Sequence, residues 1–461
     1  MNNQSKKMAL LGSASIPKAL LAMGIPTMIG MLVNAFYNLV DAYFVGGLGE
    51  SQMGAISVVY PLGQVVVGLG LLFGNGAASY ISRLLGRGYK ENADAVASTA
   101  LYSSMSVGAI IIVISILFLH PILKLLGATD SILPYATTYA GIYIVSCIFN
   151  VFNVTMNNIV TSEGAAKTTM CALLIGAVLN IALDPLFIYV FDLGVAGAAI
   201  ATAISQVVST LVYLTYILQR KSVFHFRIKD CTYTKEVMCE IFKIGIPTLI
   251  FQILTSISIS LINNAAGDYG DSAIAGMGVV TRLISMVSLS VFGFIKGFQP
   301  IAGYSYGAKN FNRLREAIKT SILWSTIFCV LFGVILALFP SAVVSQFTKG
   351  DAEMIRIGAA SLRANGLSIM LFGFNTVYSS LFLALGKGKE GFILGACRQG
   401  ICFIPVILLL PTVWGLNGIL YAQPIADMLS TVITIFMAIP LHKNLNEMQK
   451  QTVAINKDIN G

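Results

Sequence analysis

Charge is scarce in this chain. Only 11% of its 461 residues are Asp, Glu, Lys or Arg, histidine occurs three times and tryptophan twice. The histidines, His120, His225 and His442, fall at the ends of apolar segments, so a catalytic centre built on a histidine base has almost nothing to work with. The seven cysteines are scattered, mostly within apolar runs, with no Cys-x-x-Cys pair and an odd total. That leaves neither a disulfide framework nor a cysteine metal site. No nucleophile and base stand together in a recognisable motif, and we read neither an enzyme nor a resident cofactor.

What is abundant is apolar surface. Hydrophobic residues make up 56% of the chain and the mean hydropathy is +0.81, beyond what a soluble core can use. Apolar runs of about 18 or more residues recur along the whole length, each long enough to cross a hydrocarbon layer ~30 Å thick as a helix. Barrel strands would instead show short alternating segments. The expected fold class is therefore an all-α integral membrane protein whose first partner is the lipid bilayer.

Apolar runs set against charged or Gly/Pro-rich breaks give twelve spans, at roughly 19–45, 53–82, 94–118, 132–161, 167–191, 194–219, 240–265, 274–303, 317–339, 356–384, 392–413 and 416–440. The net charge of +9 would suit a nucleic acid, but its placement is a topology signal. With the N-terminus cytoplasmic, 22 of the 29 Lys and Arg residues fall on the cytoplasmic side, 3 (Lys124, Lys349, Arg356) on the other, and Arg282, Lys296, Arg363 and Arg398 in or near spans. The expectation is a multi-pass protein of the cytoplasmic membrane with both termini cytoplasmic and no nucleic-acid partner. "GIPT" at 24–27 recurs at 245–248, and the same 221-residue offset pairs Gly46 with Gly267, Gly76 with Gly297, Gly86 with Gly307 and Gly194 with Gly415. Two copies of a six-helix unit follow, and because six is even they are related by a pseudo-two-fold along the membrane normal. The expected organisation is an N-terminal lobe over 1–219, a basic linker over 220–239, a second lobe over 240–442 and a polar tail over 443–461.

Of the 20 Asp and Glu residues, only Asp41, Asp184 and Asp427 lie well within spans. A carboxylate there costs about 2.5–3.5 kcal/mol on insertion scales, so each is a functional candidate by default. At 1.5 Å per residue, Asp41 lies within about two turns of the outer end of span one, while Asp184, Thr202 and Tyr139 on spans five, six and four lie about 10–12 Å below the outer surface. Asn180 sits one turn from Asp184 on the same face. Polar stripes accompany them: Asn34, Tyr37, Asn38 and Asp41 on span one, and Asn150, Asn153, Asn157 and Thr161 on span four. Span seven of the second half adds Gln252 and Ser256 but no acid. Such stripes avoid lipid and face a cavity, and the acids suit a proton or a small monovalent cation; a purely structural hydrogen-bond network is the plainer reading. Arg398 and Asp427 read as a structural ion pair. Pro26 in span one and Pro185 after Asp184 each remove a helical hydrogen bond and mark hinge positions, although prolines are common in membrane helices.

The stretches "GNGAASYISRLLGRGYKENADA" at 74–95, its counterpart "GFQPIAGYSYGAKNFNRLREA" at 297–317 and "VLNIALDPLFIYVFDLGVAGAAIATAIS" at 178–205 complete the picture. Together with the twelve spans they resemble the multidrug and toxic compound extrusion family, MATE, in its prokaryotic branch, over essentially the whole chain. The resemblance implies a monomeric secondary-active antiporter that exports amphipathic, mostly cationic organic compounds and drugs against inward H+ or Na+ flow by alternating access. It implies that Asp41, Asn180 and Asp184 form the cation site, with Thr202 and Tyr139 supporting, and that Asp41, Asn180, Asp184 and Thr202 hold the metal ion if sodium is the coupling ion. Substrate would meet Asn34, Tyr37, Asn38, Asn153, Asn157, Gln252 and Ser256. The alternative is a flippase for a lipid-linked precursor with similar two-lobed architecture, whose cavity should carry more cationic residues.

Overall fold

A computed structural model describes residues 3–347 and 352–460; Lys349 lies outside the described residues. Every regular element within them is helical. Twelve helices are long and apolar enough to span a membrane: α1 (Ile16–Gly46), α2 (Ser51–Gly86), α3 (Lys90–Leu117), α4 (Leu133–Ser162), α5 (Ala166–Val190), α6 (Gly194–Leu218), α7 (Lys235–Gly267), α8 (Ser272–Gly307), α9 (Phe311–Leu338), α10 (Ala352–Ala384), α11 (Gly388–Trp414) and α12 (Leu416–Thr452).

Two boundaries differ from the pattern expected from hydropathy, both because polar residues can continue a helix. α7 starts at Lys235, inside the expected linker, where the Thr234 hydroxyl caps the Val237 N–H at 3.4 Å. The last helix runs on as far as Asn460, through the expected polar tail, which holds no proline and no glycine before Gly461. A further helix, Asn3–Gly12, precedes α1 and is too short and polar to register as a span. It touches both halves. Lys7 pairs with Glu163 at 3.1 Å, and the Arg313 guanidinium donates to the Leu10 and Leu11 carbonyls at 3.3 and 3.1 Å.

The halves meet along a glycine seam at the end of the bundle that carries the basic loops. Gly86 rests on the main-chain carbonyl of Tyr304 and Gly307 on that of Arg83, and positions 83 and 304 are themselves related by the repeat. One level deeper, Gly76 lies on the Ile241 backbone and Gly297 on Met23 and Gly24. The first contact recurs residue for residue with the halves exchanged, and the second recurs helix for helix, α2 on α7 and α8 on α1, as a pseudo-two-fold requires. Without Cβ atoms the helices close to main-chain contact, so the seam excludes water. An Arg83–Glu240 pair at 2.6 Å reinforces it between α2 and α7.

The second half holds its own buried charge. Arg398 donates to Asp427 at 2.9 Å, joining α11 to α12 as expected, while Asp427 also accepts from Ser368 at 3.0 Å and Gln423 at 2.9 Å. The guanidinium lies 4.3 Å from the Phe372 ring centroid. Breaking a buried pair from one side leaves an uncompensated charge, so Asp427→Asn is expected to cost about 3–5 kcal/mol. The double change Arg398→Met with Asp427→Leu is expected to recover most of that loss, as read from denaturation midpoints of the purified protein in detergent. At the seam, Gly307→Ala places a Cβ against the Arg83 backbone and is expected to cost about 1–3 kcal/mol. Gly278→Ala, on the same helix with nothing within 4 Å, is the control; equal midpoints for the two variants would refute the seam.

Candidate ion and substrate site

Between the halves lies a cavity of about 920 Å³, lined by helices of both. From α1 it takes Asn34, Tyr37, Asn38 and Asp41, and from α4 it takes Tyr139, Asn150, Asn153 and Asn157. Two of the α4 amides, those of Asn153 and Asn157, are already engaged. Asn153 donates to the Gln206 carbonyl and side chain at 2.9 and 2.8 Å and accepts from Thr210 at 3.0 Å, and Asn157 donates to the Tyr213 hydroxyl at 3.3 Å. For this stripe the plainer structural reading holds in part: it fixes α4 to α6.

Asp41, Asn180, Asp184 and Thr202 come together from three helices. Asn180 donates to Asp184 at 3.2 Å and points the same amide at Thr202 Oγ1 at 3.5 Å. The Asp41 and Asp184 carboxyls stand within hydrogen-bonding reach of each other. Asp184 is fully buried behind Asn180, so it faces its neighbours and not the open cavity, whereas Asp41 lines the cavity. Tyr37, Tyr139 and Tyr143 lie within electrostatic range of Asp41, with Tyr139 stacked on Tyr143 at a centroid distance of 5.5 Å.

What the cluster lacks is donors. Asp41 Oδ1, Asn180 Oδ1 and Asp184 Oδ2 are buried without a hydrogen-bond partner. Among the described residues no Lys or Arg lies within salt-bridge distance of either carboxyl. Buried oxygens of this kind fit a proton or a small hard cation such as sodium, which takes carboxylate, amide and hydroxyl ligands. The local backbone helps to set the geometry. Pro185 offers no N–H, and beyond it the helix widens into a π-turn over Leu186–Val190, with the Phe191 N–H donating to the Leu186 carbonyl at 2.9 Å.

Of the expected cavity residues, Asn34, Tyr37, Asn38, Asn153, Asn157 and Gln252 line the cavity and Ser256 does not. Ser256 is exposed on another face of α7 and returns its hydroxyl to the Gln252 carbonyl at 3.3 Å; Thr255 and Ser258 take its place. Pro26 and Pro185 also lie off the cavity lining. Sequence reasoning missed Gln64, which accepts from Gln252 at 3.2 Å, and the entry of Lys296, Gln299 and Arg398 into the lining. The signal for the two cations was their position inside otherwise apolar spans.

The comparison with known proteins agrees with this geometry. The MatE family model matches twice, over residues 26–186 and 247–409, with starts separated by the repeat offset. The multidrug export protein MepA of Staphylococcus aureus (strain MSSA476) is 32% identical over 93% of this chain and 94% of its own length. The protein of the same name from Staphylococcus saprophyticus is 31% identical over 94% and 95%. A solved structure described as the outward-facing conformation of a multidrug resistance MATE family transporter superposes with a TM-score of 0.90 at 27% identity, covering 96% of this chain and 99% of that one. A doubled family match on a doubled sequence, with relatives aligned nearly from end to end, makes this chain a member of the MatE, or multidrug and toxic compound extrusion, family.

Proposed function

We propose that the protein is a secondary-active efflux antiporter that exports amphipathic, mostly cationic organic compounds in exchange for H+ or Na+. The observation that carries this is the donor-poor contact of Asp41 with Asp184, one carboxyl facing the substrate cavity and the other fully buried. The relatives named for multidrug export, and the outward-facing structure of similar shape, support the same reading. We read the protein as a monomer in the cytoplasmic membrane, with its basic loops and both termini on the cytoplasmic side.

The chemistry of the pair suggests how ion and drug are exchanged. Two unit charges about 4 Å apart interact by about 4 kcal/mol in surroundings typical of a protein surface. The carboxyls therefore stay close only when a proton or a metal ion lies between them, and separate when it leaves. Asp41 sits on the same helix as Pro26, 15 residues away, or ~22 Å along α1. Gly24, beside that proline, packs against Phe294 and Gly297 of α8 in the seam. α1 thus links the ion site to the surface along which the halves must part, and bending at Pro26 is the proposed link. With the basic end sealed, we assign this arrangement to the outward-facing half of the proposed cycle. Pro185, at the junction with the π-turn, is the second proposed hinge.

The energy supply is adequate. One charge crossing 100 mV gives about 2.3 kcal/mol, and a tenfold drug gradient costs about 1.4 kcal/mol. One-for-one exchange of a cation for a monocationic drug cannot use the voltage, but two acids leave room for two ions. The flippase alternative gains Lys296 and Arg398 as cavity cations. Arg398, however, is committed to Asp427, and one free ammonium is a weak cradle for a pyrophosphate.

In proteoliposomes loaded with ethidium, Asp41→Asn is expected to reduce gradient-driven export at least about tenfold, the scale of one lost charge-assisted interaction. Undiminished export under both imposed sodium and proton gradients would sink the coupling role. Thr202→Val distinguishes the ions: sodium coupling predicts a several-fold weaker apparent sodium affinity, whereas proton coupling predicts a nearly unchanged pH-driven rate.

A further inference from the structure

The cavity has a second polar end of opposite character. Lys296, on α8, lines it with an ammonium whose one protein partner is Asn157 Oδ1, and no acid lies within salt-bridge distance of it among the described residues. An ammonium has three donors, so two remain for another acceptor. Three residues along the same face, Gln299 presents a buried Nε2 with no acceptor. Both side chains also line a small recess beside the cavity, with Asn158 and Thr161. A buried donor without a partner is costly, and one beside an ammonium with donors to spare points to a ligand that accepts.

The site lies at the sealed floor. Gly297, next to Lys296, packs on Gly24, and Asp41 is 17 residues farther along α1, ~25 Å away. The acceptor-rich and donor-rich ends of the cavity are therefore separate. Beside Lys296 stands an aromatic wall. Phe292, one turn before it on α8, meets Phe251 at 6.1 Å and Phe372 at 5.3 Å between centroids, both edge-on. All three rings line the cavity. The arrangement fits a planar ring against the wall with an anionic group on Lys296 and Gln299.

We propose that Lys296 and Gln299 form an anion-binding subsite in the cavity floor, which extends the substrate range to amphipathic aromatic compounds bearing a carboxylate. This rests on the export reading above. It adds to that reading a part of the cavity that neither the cation site nor a purely cationic substrate uses.

The test is equilibrium binding of dansylglycine and of its uncharged methyl ester to the full-length protein in nanodiscs, followed by dansyl fluorescence. The wild type is expected to prefer the acid by about tenfold or more, the worth of a charge-assisted contact. Lys296→Met is expected to remove that preference while ester binding persists, which shows that the cavity is intact, and Lys296→Arg is expected to keep it. Gln299→Met is expected to lower the preference several-fold. A Lys296→Met protein that keeps the wild-type preference overturns the subsite, as does a wild type that binds acid and ester equally. Ethidium export by the wild-type chain, measured alongside, tests the export reading separately: export with no acid preference rejects the subsite alone, and no export rejects the reading on which it rests.

Discussion

Two carboxyls facing each other in an apolar bundle are the constraint around which the first half of this protein is organised. Water would solvate them cheaply, but the bundle supplies a single amide, that of Asn180 to Asp184, and leaves three oxygens of the cluster bare. Taking even one carboxylate out of water costs several kcal/mol unless something positive or protic compensates. The fold does not supply that compensation from its own lysines or arginines, so it must come from outside. A permanent counter-ion would make the site stable and inert. In the coupling role proposed above, its absence lets the charge of the cluster change.

The second half shows the other solution. At the repeat offset of 221, Asp41 corresponds to Ile262, Asp184 to Pro405 and Asn180 to Ile401, so the acids are gone. Thr202 corresponds to Gln423 and Gln206 to Asp427, while Ala177 becomes Arg398. The polar group thus remains between the fifth and sixth helices of its repeat, but Arg398 neutralises Asp427 permanently. A π-turn accompanies each group, Leu186–Val190 after Asp184 and Cys397–Ile401 around Arg398. Helix packing has kept the symmetry of the repeat, down to the reciprocal Gly86 and Gly307 contacts, and side-chain chemistry has not.

Much of this was legible in the sequence, for physical reasons. Hydrophobic runs report span length, the basic loops report orientation, and a repeated glycine reports where two helices must touch. Helical rise alone placed Asp41, Asn180, Asp184 and Thr202 at one depth, because a membrane span has a fixed axis and known ends. Azimuth was harder. Ser256 shares the polarity of Gln252 yet turns away from the cavity, and a few tens of degrees of helix rotation decide between the two. The partner of a cation inside a span was only partly legible. Asp427 on the next span marked Arg398 as paired, whereas nothing in the sequence pointed Lys296 to Asn157.

That difference gives the cavity its polarity. Arg398 is balanced where it stands, so it adds shape and an aromatic contact to the wall but little net charge. Among the described residues, no protein ion within salt-bridge reach balances Asp41 at one end or Lys296 at the other, and the seam lies beside the lysine. In the proposed cycle, parting of the halves along that seam would break the Lys296 bond to Asn157, which crosses between α8 and α4. An ion that alters the Asp41 end through α1 and a substrate group that engages Lys296 on α8 would, in that cycle, act on the same α1–α8 boundary between the halves. The proposed exchange would then require no direct contact between ion and substrate, only that both bias how the two halves meet.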